Sequence, residues 1–184
     1  METIEKSIEV EAPVRQVYNQ WTQFEEFPHF MEGVEEVRQL DDKHLHWVAK
    51  VAGRVKEWDA EILEQIPDDR IAWRSTSGAP NSGVVHFRPA DQNRTVVTLR
   101  LSYEPEGAME NIGSAMGVLS GRVEADLRKF KDFIQHRGTE TGSWRGEIRH
   151  GDLRGSASLD AAGTSDTSRP PGSTSRGPET SFPG

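Results

Sequence analysis

An α+β fold is predicted for this 184-residue chain: an antiparallel sheet covered by one long helix near the C-terminus. Three observations predict it. Apolar residues alternate with period two in short runs from Thr3 to Glu104, as half-buried strands require. Turn-forming Asp, Asn, Gly and Pro separate the later runs by only a few residues, which implies successive antiparallel hairpins. After Pro105-Glu106-Gly107 the apolar period switches to three or four and holds until Gly138.

The first run, TIEKSIEVEA (3–12), places Ile4, Ile8 and Val10 on one parity, with Lys6 as a lapse. Ala12-Pro13 opens a helix, since proline is tolerated in a first helical turn. Val14, Val17, Tyr18 and Trp21 then form one helical stripe. Phe24, Phe27, Phe30 and Met31 repeat the spacing, but Pro28 interrupts it, so two short helices meeting at an angle are expected. Six strands follow: GVEEVRQL (33–40), HLHWVAKVA (44–52), RVKEWDAEILEQI (54–66), RIAWRSTS (70–77), VVHFRP (84–89) and RTVVTLRLSYE (94–104). GAPNSG (78–83) reads as a loop. In the third of these strands Trp58, Ala60 and Ile62 share one face, and Glu57, Asp59 and Glu61 the other. In the last, Val97, Leu99, Leu101 and Tyr103 point inward.

The long helix carries Ile112, Met116, Leu119, Val123, Leu127, Phe130 and Ile134 on one stripe. Gly138 supplies its stop, and Lys129, Lys131, His136 and Arg137 stand near the negative end of its dipole. Gly113, Gly117 and Gly121 recur every four residues, each costing about 1 kcal/mol relative to alanine. Either close packing on the sheet or room for a ligand or bend would account for them.

Three segments are expected: a folded domain over 1–138, a junction over 139–150 that either frays or docks Trp144, and a disordered tail over 151–184. The tail is dominated by Gly, Ser, Thr and Pro and has too little apolar surface to offset its ordering entropy.

A net charge of −8 argues against nucleic acid as a partner, because phosphate neutralisation needs clustered Lys and Arg. No run approaches the roughly 20 apolar residues of a membrane span. The charged opening METIEKSIEVE lacks the apolar centre of a secretory signal, so a cytoplasmic location is expected. There is no cysteine, hence no disulfide or thiolate chemistry. Oligomeric state is left open.

The order strand, two short helices, six strands, long helix resembles the helix-grip fold of the START-type, SRPBCC superfamily. Residues 1–138 are most similar to its polyketide cyclase/dehydrase and coenzyme-Q-binding branch. The resemblance rests on EAPVRQVYNQWTQFEEFPHFM (11–31), GRVKEWDAEI (53–62), the DDRIAWRS strand and GRVEADLRKFKDFI (121–134). It implies a curved sheet wrapped around the last helix, with the short helices plugging one end of a hydrophobic cavity. The implied function is binding of a hydrophobic small molecule such as an isoprenoid quinone, a lipid or an aromatic polyketide, with no cofactor. Expected lining residues are Trp21, Phe27, Phe30 and Met31 from the plug, with Phe27, Phe30 and Met31 at the mouth. Trp47, Trp58, Trp73, Phe87, Leu99 and Tyr103 would line it from the sheet, and Met109, Ile112, Met116 and Leu119 from the helix.

Two alternatives differ in class. As a cyclase or dehydratase the chain would need a buried polar group, and Tyr18 and Tyr103 are the weak catalytic candidates. The resemblance places the cavity Tyr and Arg of the cyclases at Val34 and Ile62, which are apolar and can neither donate a proton nor polarise a carbonyl. As a protein-interaction module, a co-chaperone or ribosome-associated factor, it would need an exposed patch, for which Trp144 is the seed. No metal site is expected: His44 and His46 share a strand face but lack an evident third ligand.

Overall fold

The computed structural model describes residues 1–51, 53–105 and 112–154, with side chains of the long helix from Met116 onward. Strand β1 (Glu2–Val10) leads into helix α1 (Val14–Trp21) and a 3₁₀ helix over Phe24–His29. Strands β2 (Val34–Gln39), β3 (His44–Val51), β4 (Arg54–Ile66), β5 (Arg70–Gly78), β6 (Asn81–Asp91) and β7 (Arg94–Tyr103) follow, then helix α2 (Ile112–Arg137). Two short strands, β8 (Glu147–Arg149) and β9 (Asp152–Arg154), come after it. The expected order of elements is thus observed, with a C-terminal hairpin added.

The sheet runs β1-β7-β6-β5-β4-β3-β2, each neighbour antiparallel. Its curved inner face carries Ile4 and Val10 of β1, Val97 and Leu99 of β7, Val85 and Phe87 of β6, Ile71 of β5, and Ala60 and Ile62 of β4, all buried. In β4 the parity changes after Ile62, where a bulge shifts the register and turns Gln65 inward. The expected loop 78–83 shrinks to Ala79 and Pro80, because Gly78 turns at a φ of +75° and Asn81 already pairs with Tyr103.

Pro13 caps α1, whose Val17, Tyr18 and Trp21 face the core. Pro28 sits inside the tighter 3₁₀ turn, so the second short helix is not α-helical. Gly138, at a φ of +72°, ends α2 by donating its N–H to Ile134 O at 3.1 Å. At 26 residues α2 is about 39 Å long, enough to cross the whole sheet.

Gly117 and Gly121 do not mark close packing, since both lie on the exposed side of α2. A Cβ placed at Gly117 or Gly121 would meet nothing within 4 Å. The surroundings of Gly113 lie outside the described residues.

Residues 139–154 dock. Asn19 and Gln20 of α1, and Thr22 just after it, are buried because this segment covers them. Glu140 accepts from Asn19 Nδ2 at 2.9 Å, Thr141 exchanges two bonds with Gln20, and the Trp144 N–H donates to Thr22 Oγ1 at 3.0 Å. Ile148 is fully buried and pairs with Gln65 on β4. Residues 151–154, expected with the tail, instead close this hairpin: the Gly151 N–H donates to Leu63 O at 2.8 Å. The remainder of the expected tail, 155–184, lies outside the described residues.

Candidate functional site

The inner face divides into a filled half and a half-open one. In the filled half the plug aromatics meet the C-terminal half of α2. Trp21 packs edge-on against Phe130 at 4.9 Å and against Phe87 at 5.9 Å, while Phe30 meets Phe130 at 5.2 Å. Phe27 bridges Trp21, Phe24 and Phe30 at 5.2–5.5 Å. Each of these rings is at most 4% exposed, so Trp21, Phe27, Phe30 and Phe87 are core rather than lining. Phe27 and Phe30 therefore do not stand at an open mouth; Phe130, far along the chain, closes over them. Leu99, 8% exposed, belongs with the core as well. Only Met31 of the plug residues expected at the mouth remains half-buried.

The other half holds Trp47, Trp58, Trp73 and Tyr103, all half-buried. Trp47 and Trp58, partners across β3 and β4, stack with ring centroids 5.8 Å apart and planes 6° from parallel. Phe27 meets Trp47 edge-on at 5.7 Å and joins the two halves. Trp73 on β5 lies across Gly83 on β6, its indole N–H donating to Asn81 Oδ1 at 3.3 Å. Asn81 is in turn the register partner of Tyr103. The wall thus runs without a break from β3 to β7, and Leu101 fills its corner beside Gly83. On the helix side Leu119 packs against the core edge and Met116 is half-buried. Met109 lies outside the described residues, as does the side chain of Ile112.

Asn81, Gly83 and Leu101 are not among the expected lining residues. A signal for them exists: Asn81, Gly83, Val85 and Phe87 keep one parity, so the strand alternation runs through what reads as a loop.

The polar chemistry of this half is sparse. Trp47 Nε1 and Tyr103 Oη are shielded from solvent and have no hydrogen-bond partner among the described residues. Burial, and then the Glu2 carboxylate, hold the Tyr103 phenol above its usual pKa, so it is protonated at neutral pH. Tyr18, the other catalytic candidate, sits at the base of the filled half, edge-on to Phe87 at 5.4 Å and under the Arg145 guanidinium. Burial pushes its pKa up to about 12. Val34 is half-buried and Ile62 fully buried, and neither gives the site a proton donor or a cation.

The outer face is different in kind. A depression of about 330 Å³ there is lined by Glu5, Ser7, His86, Arg88, Val96 and Thr98, a polar surface with little to offer an apolar molecule. His44 pairs with Asp41 at 2.8 Å and His46 with Asp59 at 2.7 Å. No group of three metal-ligating side chains forms among the described residues. Arg74 reaches Glu61 at 3.2 Å, as charges on a solvated sheet face do. Trp144 turns back onto the core and is half-buried, so it does not seed an exposed patch.

Comparison with known proteins decides the family. Residues 10–132 match the model of the "Polyketide cyclase / dehydrase and lipid transport" family. The chain belongs to this family. A Streptomyces lincolnensis family relative, described as an uncharacterized 17.2 kDa protein in the melC2-rnhH intergenic region, is 48% identical over 149 residues, 80% of this chain and 99% of that one. Among solved structures, the Zhui aromatase/cyclase from Streptomyces sp. R1128 superposes with a TM-score of 0.64 at 18% identity, over 78% of this chain and 99% of that one. A START superfamily protein from Mycobacterium smegmatis gives 0.63 at 11% identity, over 73% and 98%. At such identities the two structures show the shared helix-grip fold. Family membership supports a hydrophobic ligand-binding or cyclase role. Among the described residues no helix is long and apolar enough to cross a membrane.

Proposed function

We propose that this protein binds a hydrophobic small molecule on the aromatic wall formed by Trp47, Trp58, Trp73 and Tyr103, beneath the N-terminal half of α2. The observation that carries the reading is the contrast between the two halves of the inner face. Trp21, Phe27, Phe30 and Phe87 are covered by other rings, whereas Trp47, Trp58, Trp73 and Tyr103 keep part of their surface open. Large aromatic area left half-covered on a concave face is the usual composition of a ligand site. Binding rather than turnover is favoured because Trp47, Trp58 and Trp73 carry no group that moves a proton, and the Glu2 carboxylate beside Tyr103 holds that phenol protonated rather than activating it.

Thermal unfolding of the full chain against quinones, fatty acids and aromatic polyketides tests the proposal. Ligand at about 100 times its Kd adds roughly 2.7 kcal/mol. For a domain of this size that is a rise of about 5–10 °C in Tm. A Trp58→Ala variant, which removes one face of the stack, is expected to lose most of the rise. A panel that leaves Tm unmoved across all three classes counts against the binding reading.

A further inference from the structure

We propose that the tip of the β3–β4 hairpin, with Val118 of α2 next to it, docks this protein on an anionic lipid surface. The docking does not depend on the binding reading above, and three observations carry it.

The first is charge. Residues 50–56 read KVAGRVK, with three basic side chains and no carboxylate, in a chain whose net charge is −8. Lys50, Val51, Arg54 and Val55 are exposed, while Lys56 is half-buried and already has an interaction partner. The neighbouring carboxylates are engaged elsewhere: Glu32 with Lys129 at 2.7 Å, Glu36 with Arg38 at 3.0 Å, and Glu57 toward His46 at 3.8 Å on the outer face. Glu35, in the bulge of β2, offsets at most one of the cations. Charges more than about 10 Å away are largely screened at 0.1 M salt, so an approaching surface meets the basic tip rather than the net charge of the chain.

The second is apolar surface set among those charges. Val55 is 56% and Val118 70% exposed, although valine gains by leaving water. Val118 stands one helical turn before Arg122, whose guanidinium donates to Lys50 O at 2.8 Å, so helix and hairpin tip adjoin. Val51 and Val55 point to opposite faces of the hairpin, and a tip entering a bilayer end-on buries both. Valines seated below the headgroups, with Lys50 and Arg54 reaching back to the phosphates, match the chemistry of a membrane interface. The centre of a protein interface favours aromatic rings and disfavours lysine, and residues 50–56 include no aromatic.

The third is position. Trp47 pairs with Trp58, Ala49 with Lys56 and Val51 with Arg54, so the tip lies two steps beyond the tryptophan stack on the same two strands. Four residues of strand place it about 13 Å from the stack. A tip held in the headgroups therefore brings the half-open part of the inner face close to the bilayer. Among the described residues no helix is long and apolar enough to cross a membrane, and a few valines with two cations give reversible attachment rather than permanent anchoring.

Flotation of the full chain with vesicles reads the docking, using POPC alone and POPC with about 30% POPG, each at about 0.05 M and about 0.5 M salt. Partition onto the POPG vesicles at the lower salt is expected to exceed that onto POPC by about tenfold or more, and to fall by about tenfold at the higher salt. The double variant Lys50→Glu/Arg54→Glu is expected to lose the preference, since each basic residue at an anionic surface strengthens binding about fivefold. Val55→Ser and Val118→Ser should each weaken binding several-fold and keep the lipid preference. Arg88→Glu/Arg100→Glu makes the same change in net charge at exposed positions on the outer sheet face, and should leave binding as it is. An unchanged Tm shows that each variant is folded. Equal binding to the two vesicles, or equal loss in the two double variants, overturns the proposal. So does a chain that ignores POPG vesicles and binds poly-glutamate through Lys50 and Arg54, which would make the tip a site for an acidic protein. None of these results touches the binding reading, whose test is thermal unfolding with small molecules and no vesicles.

Discussion

Trp73 lies directly over Gly83: a Cβ at position 83 would run into the indole Cζ2 and come within 2.9 Å of the Arg100 carbonyl oxygen. The glycine is therefore what lets the ring lie flat on the inner face. Gly83→Ala is expected to tilt Trp73 out of the wall and to cost about 1–3 kcal/mol, the usual range for overpacking. Urea unfolding measures the cost and tryptophan emission the displacement. An alanine variant as stable as the parent, with unchanged emission, would show that the wall accommodates the extra carbon.

Arg145 ties the C-terminal segment to two elements at once. Its guanidinium donates to Asn19 Oδ1 of α1 at 2.6 Å and to Asp68 Oδ2 of the β4–β5 turn at 2.7 Å, and stands 5.5 Å from the centroid of the Tyr18 ring. Arg145→Ala is expected to lower stability by about 1–3 kcal/mol, because Asn19 and Asp68 lose a partner in a largely covered place. Arg145→Lys should recover less than half of this, since an ammonium cannot span both acceptors while stacking on the ring. Equilibrium urea unfolding of both variants checks the order.

Burial pushes the Tyr18 phenol up to a pKa of about 12, against the lowering effect of the Gln65 side chain facing its hydroxyl. Tyr18→Phe is then expected to change stability by no more than about 1 kcal/mol at pH 7, because it keeps the ring and the buried hydroxyl is only partly compensated by Gln65. The pH dependence has a definite sign. A phenol whose folded pKa lies above its unfolded value contributes stability below pH 10 that is lost as pH rises from about 10 through about 12. Thermal unfolding between pH 8 and 11 should show a shallower alkaline decline in Tyr18→Phe than in the parent.

Asp126 is a carboxylate held in an unfavourable place. Burial raises its pKa, opposed by the Glu32 N–H at 3.0 Å and by the Arg122 and Lys129 charges, while the Glu32 carboxylate adds to the rise. The folded state therefore binds this proton more tightly than the unfolded one, and stability falls as pH rises through the raised folded value. Asp126→Asn keeps an acceptor for the Glu32 N–H and removes that dependence. Its stability relative to the parent should improve between pH 3.5 and pH 7, read from urea melts at both. A relative loss over that interval would mean that the Arg122 and Lys129 charges outweigh burial.

Much of this fold is legible from local chemistry. The period-two alternation of Val97, Leu99 and Leu101 in β7, and the helical spacing of Val123, Leu127, Phe130 and Ile134, depend only on neighbours along the chain. Pro13 and Gly138 act through their own backbone restrictions and mark element ends, whereas Pro28 lies inside the 3₁₀ turn. The loop over 78–83 misleads because Asn and Gly favour turns, whereas here Gly83 serves in a strand to make room for Trp73.

The sequence by itself determined the order of elements, the inward parity of most strands and the absence of thiol chemistry, since each is a property of residue type or short-range spacing. Only the tertiary structure decided which aromatics are core and which form the wall. Trp21 and Trp47 are equally apolar as letters, but Phe130 is folded back over the first and no described ring of α2 stacks on the second. It likewise decided that residues 139–154 pack, through polar partners on α1 and β4 that lie dozens of positions away. Burial is a relation between distant parts of the chain, and no local period encodes it.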